Sequence, residues 1–396
     1  MKKIKFGIIG MGNQGSYYAG LFRVGKIENG ELVAVCDNNA VKLSMAKKKN
    51  EGVLAFSDYT EMLDSGVCEA VLVDTPHYLH PEIVIECLKR GIHAISDKPA
   101  GVYTKQVREM NEFALKSKAK FGVMFNLRTD CMYRKMKEMI EKGEIGELQR
   151  VVWVITNWFR SQTYYDSGSW RATWAGEGGG VLINQCPHQI DLIQWILGKT
   201  PKSVRAVCHY GKWHDIEVED DVSAYFEYDN GATGVFVTTT GEAPGANRLE
   251  ISGTKGKILC ENGQIVFYKN ERDSVEFSKT SKSLFDAPAC EKIIVETDGK
   301  NPQHAGIIDN FAKAILGTEE QFVLGTEGIK GVELMNAIEL SGWKNGAEVT
   351  LPVNEEEYLA ELNKRRAVSK IKTGGTDVIA DMDNSFSKTT ETLKKV

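Results

Sequence analysis

Two side chains in this sequence have the type and placement that proton and hydride chemistry needs. They are Lys98, in Asp97-Lys98-Pro99, and His188, in Asn184-Gln185-Cys186-Pro187-His188. Lys98 follows the apolar run His93-Ala94-Ile95, and the proline behind it stops that strand from continuing. An ammonium there can hold a substrate hydroxyl and stabilise the alkoxide that develops as hydride departs, or move a proton if its pKa is depressed. A plain surface lysine beside a turn is the alternative, and the strand-end position favours the functional one. His188 titrates near neutrality and suits the general base of a secondary alcohol. From Val181 an amphipathic helix is predicted, on which Asn184, His188 and Asp191 share a face at i, i+4 and i+7. The Asn184 amide can donate to and accept from a sugar hydroxyl, while Asp191 would orient the imidazole or cap a neighbouring element. The preceding Gly178-Gly179-Gly180 permits close approach of a bulky ligand. A metal on His188 and Cys186 is disfavoured, because a spacing of two puts them on different helix faces and no other ligands cluster with them. A Cys186 nucleophile fares little better.

The elements that position these residues begin at the N-terminus. A buried-strand pattern from Ile4 to Ile9 runs into Gly10-Met11-Gly12-Asn13-Gln14-Gly15, a G-x-G-x-x-G where a parallel strand should hand over to a helix. Gly10 allows the tight turn, Gly12 the approach of a pyrophosphate, and Gly15 close helix–strand packing. The helix N-terminus offers unpaired N–H groups to the anion. A second strand, Leu32 to Cys36, ends in Asp37, twenty-two residues after Gly15. A carboxylate there accepts from the ribose hydroxyls and repels a 2′-phosphate, so NAD is favoured over NADP. A structural glycine turn with a solvated Asp37 is the competing reading.

Strand and helix patterns keep alternating to about Phe125. Strands are expected at 53–56, 70–73, 93–95 and 121–125, and helices at 40–49, after Asp58, at 81–90 and at 104–116. In such a doubly wound parallel sheet ligands sit beyond the carboxyl ends of the strands. Those ends gather Gly10 to Gly15, Asp37, Thr75, Pro76, Asp97, Lys98 and Asn126. After a helix near 132–142 the pattern changes to long strands at 148–158, 203–209, 222–228, 233–239, 248–253 and 257–261, with turn signals such as Asp229-Asn230-Gly231 between some of them. The fold class is therefore α/β: an N-terminal Rossmann sheet, then an α/β domain with a large, mostly antiparallel open sheet bearing helices on one face. Helices are expected at 305–316 and 328–341. The expected division is 1–126 for the nucleotide domain, 127–366 for the substrate and oligomerisation domain, and 367–396 for a polar tail that is mobile or partner-wrapped.

The segment from Trp158 through Arg160, Tyr164, Tyr165 and Trp170 to Arg171 is aromatic, polar and turn-rich. Aromatic faces stack on sugar C–H surfaces while Arg and Asp fix hydroxyls, and this is what a polyol or glycoside pocket needs. The same residues suit a subunit contact. His304, ahead of a helix, is a further pocket candidate. The 396 residues, 42% hydrophobic and 26% charged, indicate a globular chain of two domains. A net charge of −5 and no basic patch argue against nucleic acid, and no apolar run reaches membrane-spanning length. The eight scattered cysteines, without C-x-x-C, suit buried thiols of a reducing cytoplasm. An open sheet face suits a homo-oligomer.

Taken together, Gly10 to Gly15, Thr75-Pro76 with His80, Asp97-Lys98-Pro99, and Gly178 through Asn184 to His188 resemble the Gfo/Idh/MocA family of glucose–fructose oxidoreductase and inositol dehydrogenase relatives, over residues 3 to 350. The resemblance implies tightly held NAD(P), assembly as tetramers or larger, Lys98 as the active-site lysine and His188 as the catalytic histidine. Two departures stand out: Asp97 where Glu is usual, and Asn184 where many members place Asp, which puts an Asp/His proton relay in doubt. The Asn-Gln-x-Pro-His form, with Tyr164-Tyr165-Asp166 and Trp170-Arg171 before it, is similar to a branch that oxidises sugars and glycosides, including the glucose C3 hydroxyl. The expected activity is NAD-dependent oxidation of a secondary hydroxyl of a sugar, glycoside or cyclic polyol. A redox-neutral NAD-dependent glycosidase and a non-catalytic NAD-binding sensor remain open beside it, Asn184 being the main argument for the sensor.

Overall fold

A computed structural model describes residues 2–370 and 372. Strands β1 (Ile4–Ile9), β2 (Gly30–Cys36), β3 (Leu54–Phe56), β4 (Ala70–Val73), β5 (His93–Ser96) and β6 (Phe121–Val123) form one sheet in the order β3-β2-β1-β4-β5-β6. Every neighbouring pair is parallel. The connections are α1 (Asn13–Arg23), α2 (Ala40–Lys49), α3 (Tyr59–Asp64), α4 (His80–Lys89) and α5 (Thr104–Lys116). All four residues of β4 are buried, as a strand covered on both faces must be. Successive strands step outward from β1 in one direction and from β4 in the other, which opens a crevice at their carboxyl ends. Helix starts are set locally. Asn39 accepts from the N–H groups of Val41 and Lys42 to start α2, and Asp58 does the same for α3 through Thr60 and Glu61. Helix α1 differs: its first residue follows Gly12, which has no side chain to cap it, and of its leading N–H groups that of Gly15 is taken by the Asp74 carboxylate.

The second sheet is built from β7 (Leu148–Ile155), β8 (Ser203–Tyr210), β9 (Glu219–Glu227), β10 (Thr233–Thr239), β11 (Asn247–Gly253), β12 (Gly256–Glu261), β13 (Gln264–Asn270), β14 (Cys290–Val295) and β15 (Val349–Thr350). Among the described residues it has nine strands, ordered β14-β13-β12-β11-β7-β10-β9-β8-β15, antiparallel except for the parallel pair β7–β10. Alternation puts Trp153, Phe226 and Phe236 wholly inside, while Val207 and Tyr225 lie on the outer face. The helices of this half are α6 (Cys131–Glu141), α7 (Gln162–Asp166), α8 (Val181–Asn184), α9 (Pro187–Leu197), α10 (Ser274–Thr280), α11 (Gln303–Leu316), α12 (Gly328–Trp343) and α13 (Glu355–Val368). Helix α12 packs on β8 and on α9.

Three features depart from the sequence expectation. The helix expected to run on from Val181 is broken at Gln185-Cys186, where α8 stops and α9 begins. Pro187 has no N–H for the preceding turn and suits the first position of a new helix. Strands β13 and β14 and helix α10 occupy a stretch in which no element was expected: the edge strand β14 is largely exposed, and β13 buries three consecutive residues, so neither shows a clean period of two. Helix α13 runs to Val368, past the boundary expected at 366, and Ser369 anchors it by accepting from the Ala175 N–H at 3.1 Å. Most of the expected tail, 373–396, lies outside the described residues.

Candidate active site

The glycine turn is shaped by steric necessity. Gly10 has φ +98°, and a Cβ there would stand 2.0 Å from the Asp74 carbonyl oxygen. A Cβ on Gly15 would come within 1.9 Å of the Gly10 carbonyl oxygen. Gly12 is the opposite case, with no atom within 4 Å of such a Cβ, so the turn is open above it. Asn13 and Gln14 form the first turn of α1. Asp37 ends β2, accepting from the Met11 N–H at 2.7 Å and the Asn39 N–H at 2.8 Å. The Thr75 hydroxyl, beyond β4, is buried without a hydrogen-bond partner, and Pro76 follows it. An open glycine cradle, a helix N-terminus that its N-cap leaves uncapped, a fixed carboxylate and an unpaired hydroxyl on one rim fit a dinucleotide.

Lys98 lies between buried Asp97 and Pro99, and the peptide to Pro99 is cis. Asp97 accepts from the Lys98 N–H at 2.6 Å and the Tyr18 hydroxyl at 3.0 Å. Its neighbour Asp74 is held well above the usual carboxylate range by burial and by the Asp97 charge. The His80 ring nitrogens lie 2.8 and 2.7 Å from the Pro99 and Thr75 carbonyl oxygens, tying the ends of β4 and β5 together. The Lys98 ammonium donates to the Asn184 carbonyl at 2.6 Å, an acceptor released because α8 ends there. Burial lowers its pKa from the ordinary lysine value, against the opposing pull of Asp97 and Glu177.

His188, 8% exposed, meets the edge of Phe125 at 6.4 Å and has no partner on Nδ1. Burial, with help from the Lys98 ammonium, keeps its pKa well below the usual histidine value, so the ring is neutral. Asp191 does not orient it. Both its oxygens take the Arg128 guanidinium, at 2.8 and 2.7 Å, and Arg128 also pairs with Glu327 and stacks over Phe125 and Trp195. Asn184 donates from Nδ2 to Glu177 and accepts from the Tyr164 hydroxyl at 3.4 Å. Glu177, 2% exposed, escaped the sequence reading. The available signal was a lone glutamate entering a glycine run, and its burial is decided only by tertiary packing.

On the substrate side Tyr164, Trp170 and Arg171 come together. The Arg171 guanidinium stacks on both rings and donates to the Tyr164 hydroxyl at 2.9 Å. Arg160 stacks over Trp158 and Tyr164. Tyr165 lies buried behind this cluster: it is 3% exposed, its ring meets the edge of Tyr164 at 5.2 Å and packs on His214, and its hydroxyl donates to Thr240 at 2.7 Å. Alternation along one short helical turn puts one tyrosine out and the next in. Asn126 donates to Gln303 at 2.5 Å, and its own Oδ1 is buried without a partner. His304, packed on Tyr17 and Tyr18, has its pKa pushed down to about 4 by burial. The Cys186 thiol faces Thr238 and is pushed up to about 12 by burial, which rules out a thiolate at neutral pH. All eight cysteines are unpaired, and among the described residues no group of three His, Cys, Asp or Glu could hold a metal ion. No helix among them is long and apolar enough to cross a membrane.

Glu219, at the start of β9, accepts from the Gly180 and Leu182 N–H groups at 2.8 and 3.0 Å and so anchors the glycine run. Burial pushes its pKa up to about 7, and Glu339, buried nearby on α12, is also raised by burial and by the Glu219 charge. A carboxyl with a raised folded-state pKa stabilises the fold below the unfolded value of about 4.3, and that contribution is lost as pH rises through about 7. Glu219→Gln keeps the acceptor and removes the titration. The Tm of the variant, followed by calorimetry, should decline less steeply than wild type between pH 5 and 8 and exceed wild type at pH 8, Glu339 keeping part of the decline. An unchanged slope would count against this assignment.

Comparison with known proteins agrees with this geometry. Residues 4–125 match the oxidoreductase family with NAD-binding Rossmann fold, and residues 133–259 match the GFO/IDH/MocA C-terminal domain. The myo-inositol 2-dehydrogenase of Thermotoga maritima is 27% identical over 266 residues, 65% of this chain and 75% of that one. The bovine (Bos taurus) trans-1,2-dihydrobenzene-1,2-diol dehydrogenase is 28% identical over 255 residues, 64% of this chain and 72% of its own length. The WlbA dehydrogenase from Chromobacterium violaceum, solved with NADH and UDP-GlcNAcA, superposes with a TM-score of 0.77 at 27% identity, covering 89% of this chain and 97% of its own. The parallel sheet with its glycine cradle, the open second sheet and these matches place the chain in the Gfo/Idh/MocA family of NAD-binding oxidoreductases.

Proposed function

We propose that this NAD-binding oxidoreductase oxidises a secondary hydroxyl on a sugar, glycoside or cyclic polyol, or reduces the corresponding ketone. The observation that carries the reading is a buried His188 whose Nδ1 has no hydrogen-bond partner, within the field of the Lys98 ammonium that follows β5. Gly10, Met11, Gly12, Asn13, Gln14 and Gly15 would hold the pyrophosphate, Asp37 the ribose and Thr75-Pro76 the nicotinamide end, with Asp97 bracing Lys98. NAD, when bound, supplies the hydride acceptor. Lys98 binds the reacting oxygen and stabilises charge developing on it, and His188 takes the hydroxyl proton. Asn184, Tyr164, Trp170 and Arg171 supply ring stacking and hydroxyl contacts, with Arg160, Asn126 and His304 around them. The three relatives support the class: their names or bound ligands are an inositol, a ring diol and a nucleotide sugar, each a ring bearing secondary hydroxyls. The exposed Val207 and Tyr225 on the open sheet face support self-association, which light scattering would measure.

The test is absorbance at 340 nm of the protein with NAD and a panel of sugars, inositols and glycosides. A rise with one class, absent in Lys98→Ala and His188→Ala, identifies a dehydrogenase and its substrate class. Cofactor that binds and is reduced by none of them, with both variants binding it equally well, refers the chain to a sensor role.

A further inference from the structure

We infer that Glu177 is a positioning residue of this site: it fixes the polarity of Asn184 and steadies the Lys98 ammonium from the substrate side. The inference rests on the roles proposed for Lys98 and His188. Glu177 is held on several sides. One carboxylate oxygen accepts from the Ala172 N–H at 2.5 Å, the other from Asn184 Nδ2, and its carbonyl oxygen lies 3.1 Å from His77 Nδ1.

An isolated asparagine amide can face either way, since its two ends are nearly the same shape. A carboxylate that only accepts removes that freedom. Nδ2 must turn to Glu177, and Oδ1 is left to accept, as it does from the Tyr164 hydroxyl. Asn184 therefore reads a hydroxyl that donates. Its backbone carbonyl accepts from the Lys98 ammonium, so Asn184 stands between Glu177 and Lys98, its side chain on one and its main chain on the other. Where Asp at position 184 would bring its charge to the substrate directly, this chain withdraws the charge to Glu177 and puts a neutral amide in front.

The ammonium is surrounded by charge from both halves of the chain. Asp97 and Asp74 favour it from the parallel sheet, Glu177 favours it from the glycine run, and Arg171 opposes it. The rings of His77, His80, His188 and His304 and the Cys186 thiol also lie within its field.

The experiment uses the full chain, wild type and three variants: Glu177→Gln, Asn184→Asp and the double exchange. Brief acetic anhydride labelling across pH 6 to 11, read by peptide mass spectrometry at Lys98, gives the protonation midpoint without any substrate. Glu177→Gln should lower that midpoint by about 1 pH unit, since a nearby opposite charge is removed. The double exchange restores a carboxylate–amide pair with its polarity reversed and should return the midpoint to near wild type. Asn184→Asp alone sets two carboxylates together and should raise it. An unmoved midpoint in Glu177→Gln, or a double exchange as low as that variant, overturns the inference. Should the Gln variant fail to fold, Glu177→Asp keeps the charge while withdrawing from Asn184. It should then hold the midpoint and raise KM, and a fallen midpoint or an unaltered KM overturns the inference. A panel without turnover counts against the dehydrogenase reading, and the labelling result counts for or against Glu177.

Discussion

Replacing Lys98 by Met should lower kcat by about 10²–10³, the usual loss for one preorganised donor to a developing oxyanion, while NAD affinity is retained. His188→Asn should lower kcat by about 10²–10⁴, the range for a general base. The two losses should not multiply in the double variant, because both side chains serve the same oxygen and its proton. The acid limb of the rate profile gives an independent check. His188 must be neutral to accept a proton, and its pKa is held well below 6.5 by burial and by Lys98. Oxidation should therefore persist to pH values well under 6.5, and in Lys98→Met the limb should move up as the repelling charge is removed. Steady-state rates against pH, with NAD binding followed by fluorescence, measure all of this. Full activity in either single variant would remove these residues from the mechanism.

Arg128→Met should destabilise the fold by about 3–5 kcal/mol, since it leaves Asp191 as a buried charge without its partner. Both side chains are 4% exposed, and the pairing is two-pronged. The pair joins the turn after β6 to helix α9, and Phe125, against which His188 rests, lies under the same guanidinium. Loss of Arg128 should thus also loosen the base, lowering kcat more than it raises KM. Asp191→Leu together with Arg128→Met should recover much of the stability, because an apolar pair replaces a buried ion pair at little net cost. Urea unfolding of wild type and these two variants decides it. A single variant as stable as wild type would show that the pair contributes nothing.

Much of this was legible before any coordinates. Strand–turn–helix periodicity is local, so the glycine turn, Asp37, Thr75-Pro76 and Lys98 could be placed at strand ends from residue types alone, and the parallel sheet bears this out. The hairpin sheet was readable for the same reason, as far as its alternating strands extend; β13, with three buried residues in a row, and the exposed edge strand β14 gave no such signal. Asp191 could orient His188 or serve a neighbouring element, and it does the second: although it shares α9 with His188, it turns to Arg128, 63 residues away in the chain, a partner no local spacing reveals. Composition marks the segment around Tyr164 and Tyr165 as aromatic without saying that Tyr165 is the ring that turns inward.

What the sequence by itself determined is the chemistry available: a glycine turn at a helix N-terminus, a carboxylate at one strand end, a lysine at another and a histidine whose residue type can act near neutrality. Each follows from a residue type at a local spacing. Only the tertiary structure decided which groups meet. It placed Glu177 against Asn184, the Asn184 carbonyl against Lys98, and Asp191 against Arg128 rather than His188. These contacts join elements distant in the chain, or depend on burial that shifts a pKa. Distance in space and the exclusion of water are properties of the packed fold, and no local pattern encodes them.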